Sequence, residues 1–439
     1  MLALLLETAL TSYYNISLQH SFMSSVNLYL LPPQRLVPFV QHYPWGKQGE
    51  SSIVARLTEA THDERPHAEL WLGSHPSGSA LIDVQAGITL RDCIARNPIV
   101  TLGTKISAQW SELPFLLKVL SIAQPLSIQA HPDTALAEKL NLKDRLHYPD
   151  PHHKPEMGIA LTPVDLLYGF KTKIELIDTF TRHPALLDLL PRVVAEDIRS
   201  GASPLSEEEL RYEAYRSIVE ASSAERATAT NTIAATLANR STQSLYEKLI
   251  PSLIKEYGAD DIGIASALLL KEITLSPGEA LYIAPRIPHA YLSGDLIECM
   301  AASDNVVRAG LTRKFQDKET LLQMLDYAHS GSGRISPQID PNNPETTLFI
   351  PPISEFQVAI TRGSTNLIHA VVSGTPELFL QLEGTTKITS PDGSSLTLTT
   401  GQGLFVPACV ESYDFEVKEG SLIRVTVGIV ETSMRIESN

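Results

Sequence analysis

The chain has 439 residues and a formal net charge of −15, with 43% hydrophobic and 19% charged residues. This composition is ordinary for a globular protein, and the length predicts about two or three domains. The acidic balance argues against a nucleic-acid partner, which would require a basic surface. It does not exclude an anionic small molecule, because a few Lys and Arg residues can set the charge of a cleft.

The cysteine content indicates a reducing compartment. Cys93, Cys299 and Cys409 are too few for a disulfide framework, and no Cys-x-x-Cys pair occurs. We therefore expect a cytoplasmic protein. Any metal site must then be built from histidine, carboxylate and amide ligands.

Residues 1–33 are predicted to form an extension of uncertain order. Leu2 and the four residues after it are apolar, but Glu7 interrupts the run and no Lys or Arg precedes it. The segment therefore lacks the basic region of a signal peptide, and it is too short to span a membrane. We expect no membrane association, and Met23 is an alternative start site.

Residues 34–172 alternate short apolar runs with turns, which predicts the first part of a β domain. The runs of strand length are 37–40, 52–57, 68–72, 79–83 and 113–121. Residues 90–95 are predicted to form one helical turn, and residues 135–147 a short helix. Lys118 interrupts the last apolar run, as a lysine at a sheet edge or one held in a cleft would do.

Residues 126–133 suggest a metal site. If residues 126–131 form a strand, the side chains of Gln129 and His131 share one face, and Ser127 shares it too. An amide oxygen and an imidazole placed in this way can hold a metal ion. The alternative is a half-buried strand whose polar side chains are satisfied by ordinary hydrogen bonds.

The pattern changes near Lys173, where a helical insertion is predicted for residues 173–268. Residues 205–250 contain neither Gly nor Pro, and Ser206 with Glu209 forms a capping box ahead of a helical apolar repeat. Strands return in residues 269–335, which also contain a predicted helix at 315–328, and residues 330–333 and 341–344 are predicted to form a linker. The alternating runs from Phe349 onward predict a β-sandwich or jelly roll within residues 336–439.

Two further residues are candidate metal ligands. Glu156 is at the head of a predicted strand, and His289 follows Gly278 and Pro285 in a spacing typical of a turn, a strand and an inward histidine. Two imidazoles, a carboxylate and an amide oxygen suit zinc best, with manganese, iron and cobalt as alternatives. His152 and His153 compete as ligands, although adjacent strand residues face opposite ways.

Several long motifs resemble those of the type I mannose-6-phosphate isomerase family. They are SIQAHPD (127–133), HKPEM (153–157) and PHAYLSGDLIECMAASDNVVRAGLT (288–312), together with YPWGK (43–47) and AELWLG (68–73). The resemblance runs from about Val37 to the carboxy terminus. It is densest between Lys118 and Phe170 and between His289 and Phe315.

The resemblance implies a mainly β fold with a helical insertion. A cupin or jelly-roll domain carrying the metal would comprise residues 34–172 and 269–335, the α-helical domain residues 173–268, and a second, metal-free cupin-like β domain residues 336–439. It also implies one Zn²⁺ per chain, held by Gln129, His131, Glu156 and His289, with Arg308 as the catalytic arginine. The implied reaction interconverts mannose 6-phosphate and fructose 6-phosphate, for GDP-mannose synthesis and mannose catabolism. We expect a monomer with a sugar phosphate as its small-molecule partner.

The residues suit this chemistry. Aldose–ketose isomerisation moves a proton between neighbouring carbons through an enediol or enediolate, so a cation must stabilise the developing oxyanion. Arg308 is a permanent cation with a planar donor fork; its alternative role is an ion pair with Asp304. Glu298 is a candidate base and substrate contact, with Asp304 and Lys154 as competitors.

The phosphate needs cationic and hydroxyl donors, for which Lys118, Ser127 and Lys154 are the candidates. For Ser127 the alternative is a hydroxyl bonded to the backbone. Trp45 and Tyr291 are candidates for a cleft wall, and for Trp45 a core position is the alternative.

Two positions depart from the family pattern. Arg286 and Ile287 stand where the family often has Asn-Glu, and Arg313 replaces a usual Pro. Neither change removes a predicted ligand.

Two alternatives to a sugar-phosphate isomerase are considered. One is a cupin metalloenzyme of another class, such as an iron-dependent oxygenase, and the other is a non-catalytic paralogue that binds sugar or protein.

Overall fold

A computed structural model describes residues 31–428 except 202, 364, 365 and 373. The extension predicted for residues 1–33 lies almost entirely outside the described residues. In the described part of the chain, no helix combines the length and the apolar character needed to cross a bilayer. All three cysteines are free, with Cys299 buried and the other two half-buried.

The strands, in chain order, are β1 (Gln34–Leu36), β2 (Phe39–Gln41), β3 (Glu69–Leu72), β4 (Leu81–Asp83), β5 (Ile88–Thr89), β6 (Phe115–Ile122), β7 (Ile128–Ala130), β8 (Glu156–Ala160), β9 (Val164–Phe170), β10 (Leu270–Leu275), β11 (Ala280–Ile283), β12 (His289–Ala301), β13 (Val307–Gly310), β14 (Arg334–Ile335), β15 (Gln338–Asp340), β16 (Asn343–Phe349), β17 (Gln357–Arg362), β18 (Ile368–Val371), β19 (Glu377–Thr389), β20 (Ser395–Thr399), β21 (Gly403–Val406) and β22 (Ser412–Thr426).

The α-helices are α1 (Ile53–Leu57), α2 (Leu90–Arg96), α3 (Pro98–Gln109), α4 (Thr134–Lys143), α5 (Lys173–Arg182), α6 (Arg192–Arg199), α7 (Glu207–Glu220), α8 (Ser223–Leu237), α9 (Leu245–Tyr257), α10 (Ile262–Ser266) and α11 (Lys318–Met324). Short 3-10 helices occur at Gly49–Ser51, Pro184–Leu189 and Ala267–Leu269.

An eleven-stranded sheet is organised around the long strand β12. The first part of β12 pairs with β7 and β9, and the part from Gly294 onward pairs with β6 and β8. The register shifts between Tyr291 and Ser293. Gly294 has a φ of +117°, and a Cβ there would lie 2.6 Å from the carbonyl oxygen of Pro163, so glycine is required at this bend. One strand thereby joins two halves of a cupin-like fold.

Successive side chains of β6 point alternately into two hydrophobic cores. Leu117 and Val119 join the core shared with the carboxy-terminal sheet, whereas Leu120 and Ile122 join the core between the two halves of the eleven-stranded sheet. Lys118 shares the face of Leu120, so its side chain points into this interior. The same alternation defines an inner face on β3, β8 and β12, whose residues are Glu69, Trp71, Glu156, Gly158, Glu298 and Met300.

The helices α5 to α10 form one insertion between two paired strands. Strand β9 ends at Phe170, β10 begins at Leu270, and these two residues are partners in an antiparallel ladder. The insertion therefore replaces a hairpin turn, and its apolar side chains form one core with neighbouring residues of the β domain. The predicted capping box is present: the Ser206 hydroxyl accepts from the Glu209 N–H, and the Glu209 carboxylate accepts from the Ser206 N–H.

A second sheet of nine strands contains β15 to β22, and β1 pairs with β21 at its edge. The first described strand thus lies in the carboxy-terminal sheet, although it is adjacent in sequence to the first domain. The two sheets share a core that includes Leu117, Ile297, Phe405 and Ile423. The predicted fold class, mainly β with a helical insertion, is confirmed.

Some local predictions were wrong. The segment 52–57, predicted as a strand, instead contains helix α1 from Ile53, and the Ser52 hydroxyl caps this helix by accepting from the Ala55 N–H. Helix α3 was not predicted. Strand β7 is shorter than the predicted 126–131 and leaves Ser127 just before it. The segment predicted as a linker at residues 341–344 overlaps the start of β16.

Candidate metal centre and active-site cavity

Three buried side chains converge at one point. His131 follows β7, Glu156 begins β8 and His289 begins β12, and their candidate ligand atoms all lie within 4.8 Å of one another. Strand pairing accounts for part of the convergence, since Gln129 is opposite His289 at the start of β12. Glu156 belongs to the other half of the sheet, where it is opposite Ile283 and Met300, and its carboxylate meets both histidines across the interior.

The imidazoles of His131 and His289 both present Nε2 to the cluster, because Nδ1 of each ring is hydrogen-bonded to a backbone carbonyl. His131 Nδ1 lies 2.9 Å from the Asn305 carbonyl oxygen, and His289 Nδ1 lies 3.0 Å from that of Ile287. A carbonyl can only accept, so each Nδ1 carries the proton and each Nε2 presents a lone pair. Burial is the main cause of a lowered pKa of about 4 at His131, which keeps this ring neutral at pH 7.

The cluster fits a bound cation. His131 Nε2 lies 3.3 Å from Glu156 Oε1, and His289 Nε2 lies 3.3 Å from Glu156 Oε2. Two imidazole lone pairs thus face a carboxylate, which is also an acceptor. His131 Nε2 and Glu156 Oε2 are buried and have no hydrogen-bond partner in the part of the chain that the structure describes, which is costly unless a cation satisfies them. This donor set suits zinc.

Gln129 is adjacent to the cluster. Its amide nitrogen lies 3.5 Å from His289 Nε2, and rotation of the amide by half a turn would place the oxygen there instead. His152 and His153, the competing histidines, lie elsewhere. His152 packs against Trp110, with ring centroids 4.7 Å apart, and His153 Nε2 lies 2.6 Å from Glu355 Oε1.

Lysines and carboxylates alternate along the inner face. Lys154 Nζ lies 3.0 Å from Glu156 Oε1, and Lys118 Nζ lies 3.2 Å from Glu298 Oε2. Glu69, which was not among the predicted site residues, lies 3.8 Å from Lys118 Nζ. Burial is the main cause of the raised pKa of Glu298, although Lys118 opposes it.

One cavity of about 700 Å³ joins these groups to the predicted substrate contacts. Trp45 is half-buried and stacks on Tyr43, with ring centroids 5.8 Å apart. The Tyr291 hydroxyl is buried, and no described residue forms a hydrogen bond with it. The cavity lining includes the predicted site residues Trp45, Lys118, Ser127, Gln129, Lys154, Glu156, Tyr291, Glu298 and Arg308. His131 and His289 lie behind this surface and are almost fully buried.

Arg308 lines the cavity as an uncompensated cation. Among the described residues, no carboxylate lies within ion-pair distance of it, and burial lowers its pKa. The alternative of an ion pair with Asp304 is wrong, because Asp304 Oδ1 instead lies 3.2 Å from His75 Nε2. Lys314 lines the same cavity, and Arg308 contributes to lowering its pKa after the larger effect of burial.

The two departures from the family pattern act through different contacts. Arg286 has a φ of +71°, its N–H donates to the His131 carbonyl at 2.7 Å, and its guanidinium donates to the Met324 carbonyl. Ile287 orients the His289 ring through its backbone carbonyl, which accepts from His289 Nδ1, so the contact does not depend on the Ile287 side chain. The exposed Arg313 donates to the Glu256 carbonyl at the end of α9 and is on the cavity rim.

Sequence reasoning missed residues that position the site. Glu69 and Trp71 belong to a motif that was recognised, and strand alternation could have placed them on the inner face. Asn305 and His75 gave no such signal. Their contacts depend on loops from distant parts of the chain.

Comparison with known proteins places this arrangement in context. The family model for the catalytic domain of type I phosphomannose isomerase matches residues 34–173. Mannose-6-phosphate isomerase 2 from Arabidopsis thaliana is 40% identical over 406 residues, covering 86% of this chain and 89% of the plant protein. Mannose-6-phosphate isomerase from Homo sapiens is 36% identical over 400 residues, covering 84% and 92%.

Solved structures agree with these relatives. A variant of phosphomannose isomerase from Salmonella typhimurium superposes with a TM-score of 0.79 at 28% identity, covering 91% of this chain and all of the bacterial chain. A zinc-bound crystal structure of mannose 6-phosphate isomerase gives a TM-score of 0.78 at 29% identity, with the same coverage. The resemblance predicted from the motifs is confirmed.

Proposed function

Because the chain belongs to the type I phosphomannose isomerase family, we propose that it interconverts D-mannose 6-phosphate and D-fructose 6-phosphate. The observation that carries this proposal is the buried cluster of His131, Glu156 and His289 in the wall of a cavity that also contains Arg308, a cation with no ion-pair partner among the described residues. The cofactor is zinc, one ion per chain, with Gln129 as the fourth proposed ligand. A bound zinc ion would supply Lewis-acid stabilisation of negative charge on sugar oxygens.

The protein's own groups account for the proton transfer. A base near the reacting carbons must remove a proton and return it to the neighbouring carbon, through an enediol or enediolate. Glu298 is the best-supported base, because it lines the cavity and burial raises its pKa above the usual value, which makes the carboxylate a stronger base. Lys118 holds this carboxylate in place from 3.2 Å.

Lys154 is a weaker candidate for the base, since its Nζ is engaged by Glu156 Oε1 at 3.0 Å. Arg308 has no such partner among the described residues, so its guanidinium is free to stabilise an oxyanion. We assign it the catalytic role on this ground.

Ion pairing also indicates which cations are free to bind the phosphate group of the substrate. Lys118 and Lys154, the predicted phosphate donors, are both occupied by carboxylates. Lys314 has no ion-pair partner among the described residues, and with Ser127 and Arg308 it lines the same cavity. We therefore propose that the phosphate lies toward Lys314 and Ser127, with Trp45 and Tyr291 contacting the sugar.

The metabolic role follows from the reaction. We propose that a monomer in the cytoplasm serves GDP-mannose synthesis and mannose catabolism. An iron-dependent oxygenase of the same fold would ordinarily use more histidine ligands than the two that the described residues bring together. A non-catalytic paralogue would have no need for an uncompensated arginine in the cavity.

A coupled assay of mannose 6-phosphate against fructose 6-phosphate, with metal analysis before and after chelation, tests the function. We expect turnover that chelation abolishes and zinc restores without oxygen. Arg308→Ala should lower kcat by about 100-fold or more while zinc content stays unchanged. Arg334→Ala is the control, because Arg334 pairs with Glu279 on the surface. No turnover by the zinc-loaded protein would overturn the proposal.

A further inference from the structure

The loop that joins β12 to β13, residues 302–306, fixes the tautomer of one proposed zinc ligand. His131 Nδ1 lies 2.9 Å from the Asn305 carbonyl oxygen, so Nδ1 carries the proton and Nε2 keeps the lone pair that a metal ion needs. A ring that carries its proton on Nε2 cannot bind a metal through that nitrogen. The position of this loop therefore determines whether His131 can act as a ligand.

One carboxylate from a distant part of the chain holds this loop. Asp150 lies between α4 and β8, and its Oδ2 accepts from the Asp304 N–H at 2.8 Å. Its Oδ1 accepts from the Ser303 hydroxyl at 2.8 Å and from the Asn305 side-chain amide at 3.1 Å. Three consecutive residues of the loop thus donate to a single side chain.

The carboxylate of Asp150 is itself held in place. The His152 N–H donates to Asp150 Oδ1 at 3.0 Å, which fixes the carboxylate within its own turn. On the other side of the contact, Ser303 and Asn305 are both buried, and buried donors that lose their acceptor are costly. The backbone carbonyls of Asp150 and His152 also accept from the Asn305 amide. Loss of the carboxylate alone should therefore loosen the loop without releasing it.

We propose that Asp150 is a positioning residue for the zinc ion: its carboxylate holds loop 302–306 where the Asn305 carbonyl keeps His131 Nε2 directed at the metal. Asp150 acts through these two residues and is not among the described residues that line the cavity. This inference rests on the metal site of the proposed function, because it takes His131 as a zinc ligand.

The test measures how fast zinc leaves the folded protein. The zinc-loaded chain is mixed with an excess of a chromophoric chelator, well below the temperature of unfolding, and the unmodified chain is compared with two variants. We expect zinc to leave Asp150→Ala about 10- to 100-fold faster, the range for residues that orient metal ligands. Asp150→Asn should be intermediate, because its amide oxygen still accepts from Ser303 and Asn305, whereas its amide nitrogen cannot accept from the Asp304 N–H.

A spectrum of the metal site separates positioning from a general loss of stability. Co²⁺ bound in place of zinc has visible absorption bands that depend on the geometry of its ligands. We expect these bands to shift in Asp150→Ala, because a displaced His131 ring changes that geometry. A variant that is only less stable would keep the bands of the unmodified chain for as long as it remains folded.

Asp392→Ala is the matched control. Asp392 lies in the turn between β19 and β20, and its Oδ1 accepts from the backbone N–H of Ser394 at 2.9 Å and from the Ser394 hydroxyl at 2.6 Å. The variant therefore removes the same kind of contact from a turn of the carboxy-terminal sheet. We expect zinc to leave it at the rate of the unmodified chain.

His131→Ala separates this inference from the proposed function. If His131→Ala binds zinc as tightly as the unmodified chain, the proposed metal site fails and this inference fails with it. If His131→Ala loses zinc but Asp150→Ala keeps the rate of the unmodified chain, only this inference is overturned. A faster rate with unchanged Co²⁺ bands would overturn it too, by showing a general loss of stability. If Asp150→Ala does not fold, Asp150→Asn decides, and a rate equal to that of the unmodified chain overturns the inference.

Discussion

Five ionisable side chains are buried on or beside the inner face of the sheet: Glu69, Lys118, Lys154, Glu156 and Glu298. Burial of a charge costs several kcal/mol, which is offset only when partners lie close. Carboxylates outnumber lysines here, and His131 is neutral. The surplus negative charge is what a bound cation would compensate.

Lys118 is the residue on which two of these carboxylates depend. Burial disfavours its charged form, but Glu69 and Glu298 outweigh that effect and raise its pKa. Lys118→Met would leave both carboxylates without their cation. We expect the free energy of unfolding, measured with urea, to fall by about 3–5 kcal/mol.

Two comparisons sharpen this test. Lys105→Met changes an exposed lysine and should leave stability nearly unchanged. The double variant Lys118→Met/Glu298→Gln should recover part of the loss, since one buried charge is then removed. Equal stability of Lys118→Met and Lys105→Met would show that the buried pairs contribute nothing.

At the residue scale, the sequence predicted which residues belong to the site better than it predicted the contacts between them. Strand alternation placed Gln129 and His131 on one face, a strand head and a turn spacing made Glu156 and His289 candidate ligands, and the family resemblance supplied the role of Arg308. Sequence did not show that Lys118 and Lys154 are occupied by carboxylates, or that Asp304 pairs with His75 and not with Arg308. These contacts depend on which strands are neighbours, and local patterns do not encode that.

Strand β12 organises the site because neighbours on both sides bring side chains into register with it. Trp71 is opposite Lys118, Lys118 opposite Glu298, and Glu298 opposite Gly158, so four strands contribute one row. Sequence predicted most of these strands, since each is an apolar run between turns. It failed at residues 52–57, where a short apolar run fits either a strand or a helix and the Ser52 cap decided for helix.

Gly158 completes this row by leaving space for Tyr291. A Cβ at Gly158 would lie 2.6 Å from the Tyr291 hydroxyl and 3.0 Å from Leu296 Cδ1. Gly158→Ala should therefore destabilise the fold by about 1–3 kcal/mol and lower kcat/KM by displacing the Tyr291 ring from the cavity wall.

A double-variant cycle isolates this contact. In a Tyr291→Phe background the hydroxyl is absent, so Gly158→Ala should cost less, as measured by thermal or urea unfolding. An identical cost in both backgrounds would mean that Leu296 or the strand backbone, rather than Tyr291, is what requires glycine.

On the scale of the whole molecule, the catalytic sheet is supported on two sides. The helical insertion emerges between β9 and β10, and the carboxy-terminal sheet packs on the outer faces of β6 and β12. Composition and periodicity predicted the insertion, because residues 205–250 lack Gly and Pro. They could not predict that β1 crosses to pair with β21, since a strand of three residues carries no information about its partner.

The pair formed by His153 and Glu355 links the loop before Lys154 to the segment that leads into β17, with Nε2 and Oε1 2.6 Å apart. Burial alone would raise the pKa of Glu355, but His153 outweighs it and the pKa is lowered. A carboxyl whose folded pKa lies below its unfolded value of about 4.3 stabilises the fold above that pH. This contribution is lost as the pH falls through the folded pKa.

Glu355→Gln should therefore lower the free energy of unfolding by about 1–3 kcal/mol at pH 7, the range for a hydrogen bond to a charged group. Below about pH 4.3 the difference from the unmodified chain should shrink, because the native carboxyl is then losing its own advantage. Urea unfolding between pH 3 and 7 measures both effects, with the exposed Glu345→Gln as control. Parallel pH curves for Glu355→Gln and the unmodified chain would show that this contact does not couple the two sheets through its charge.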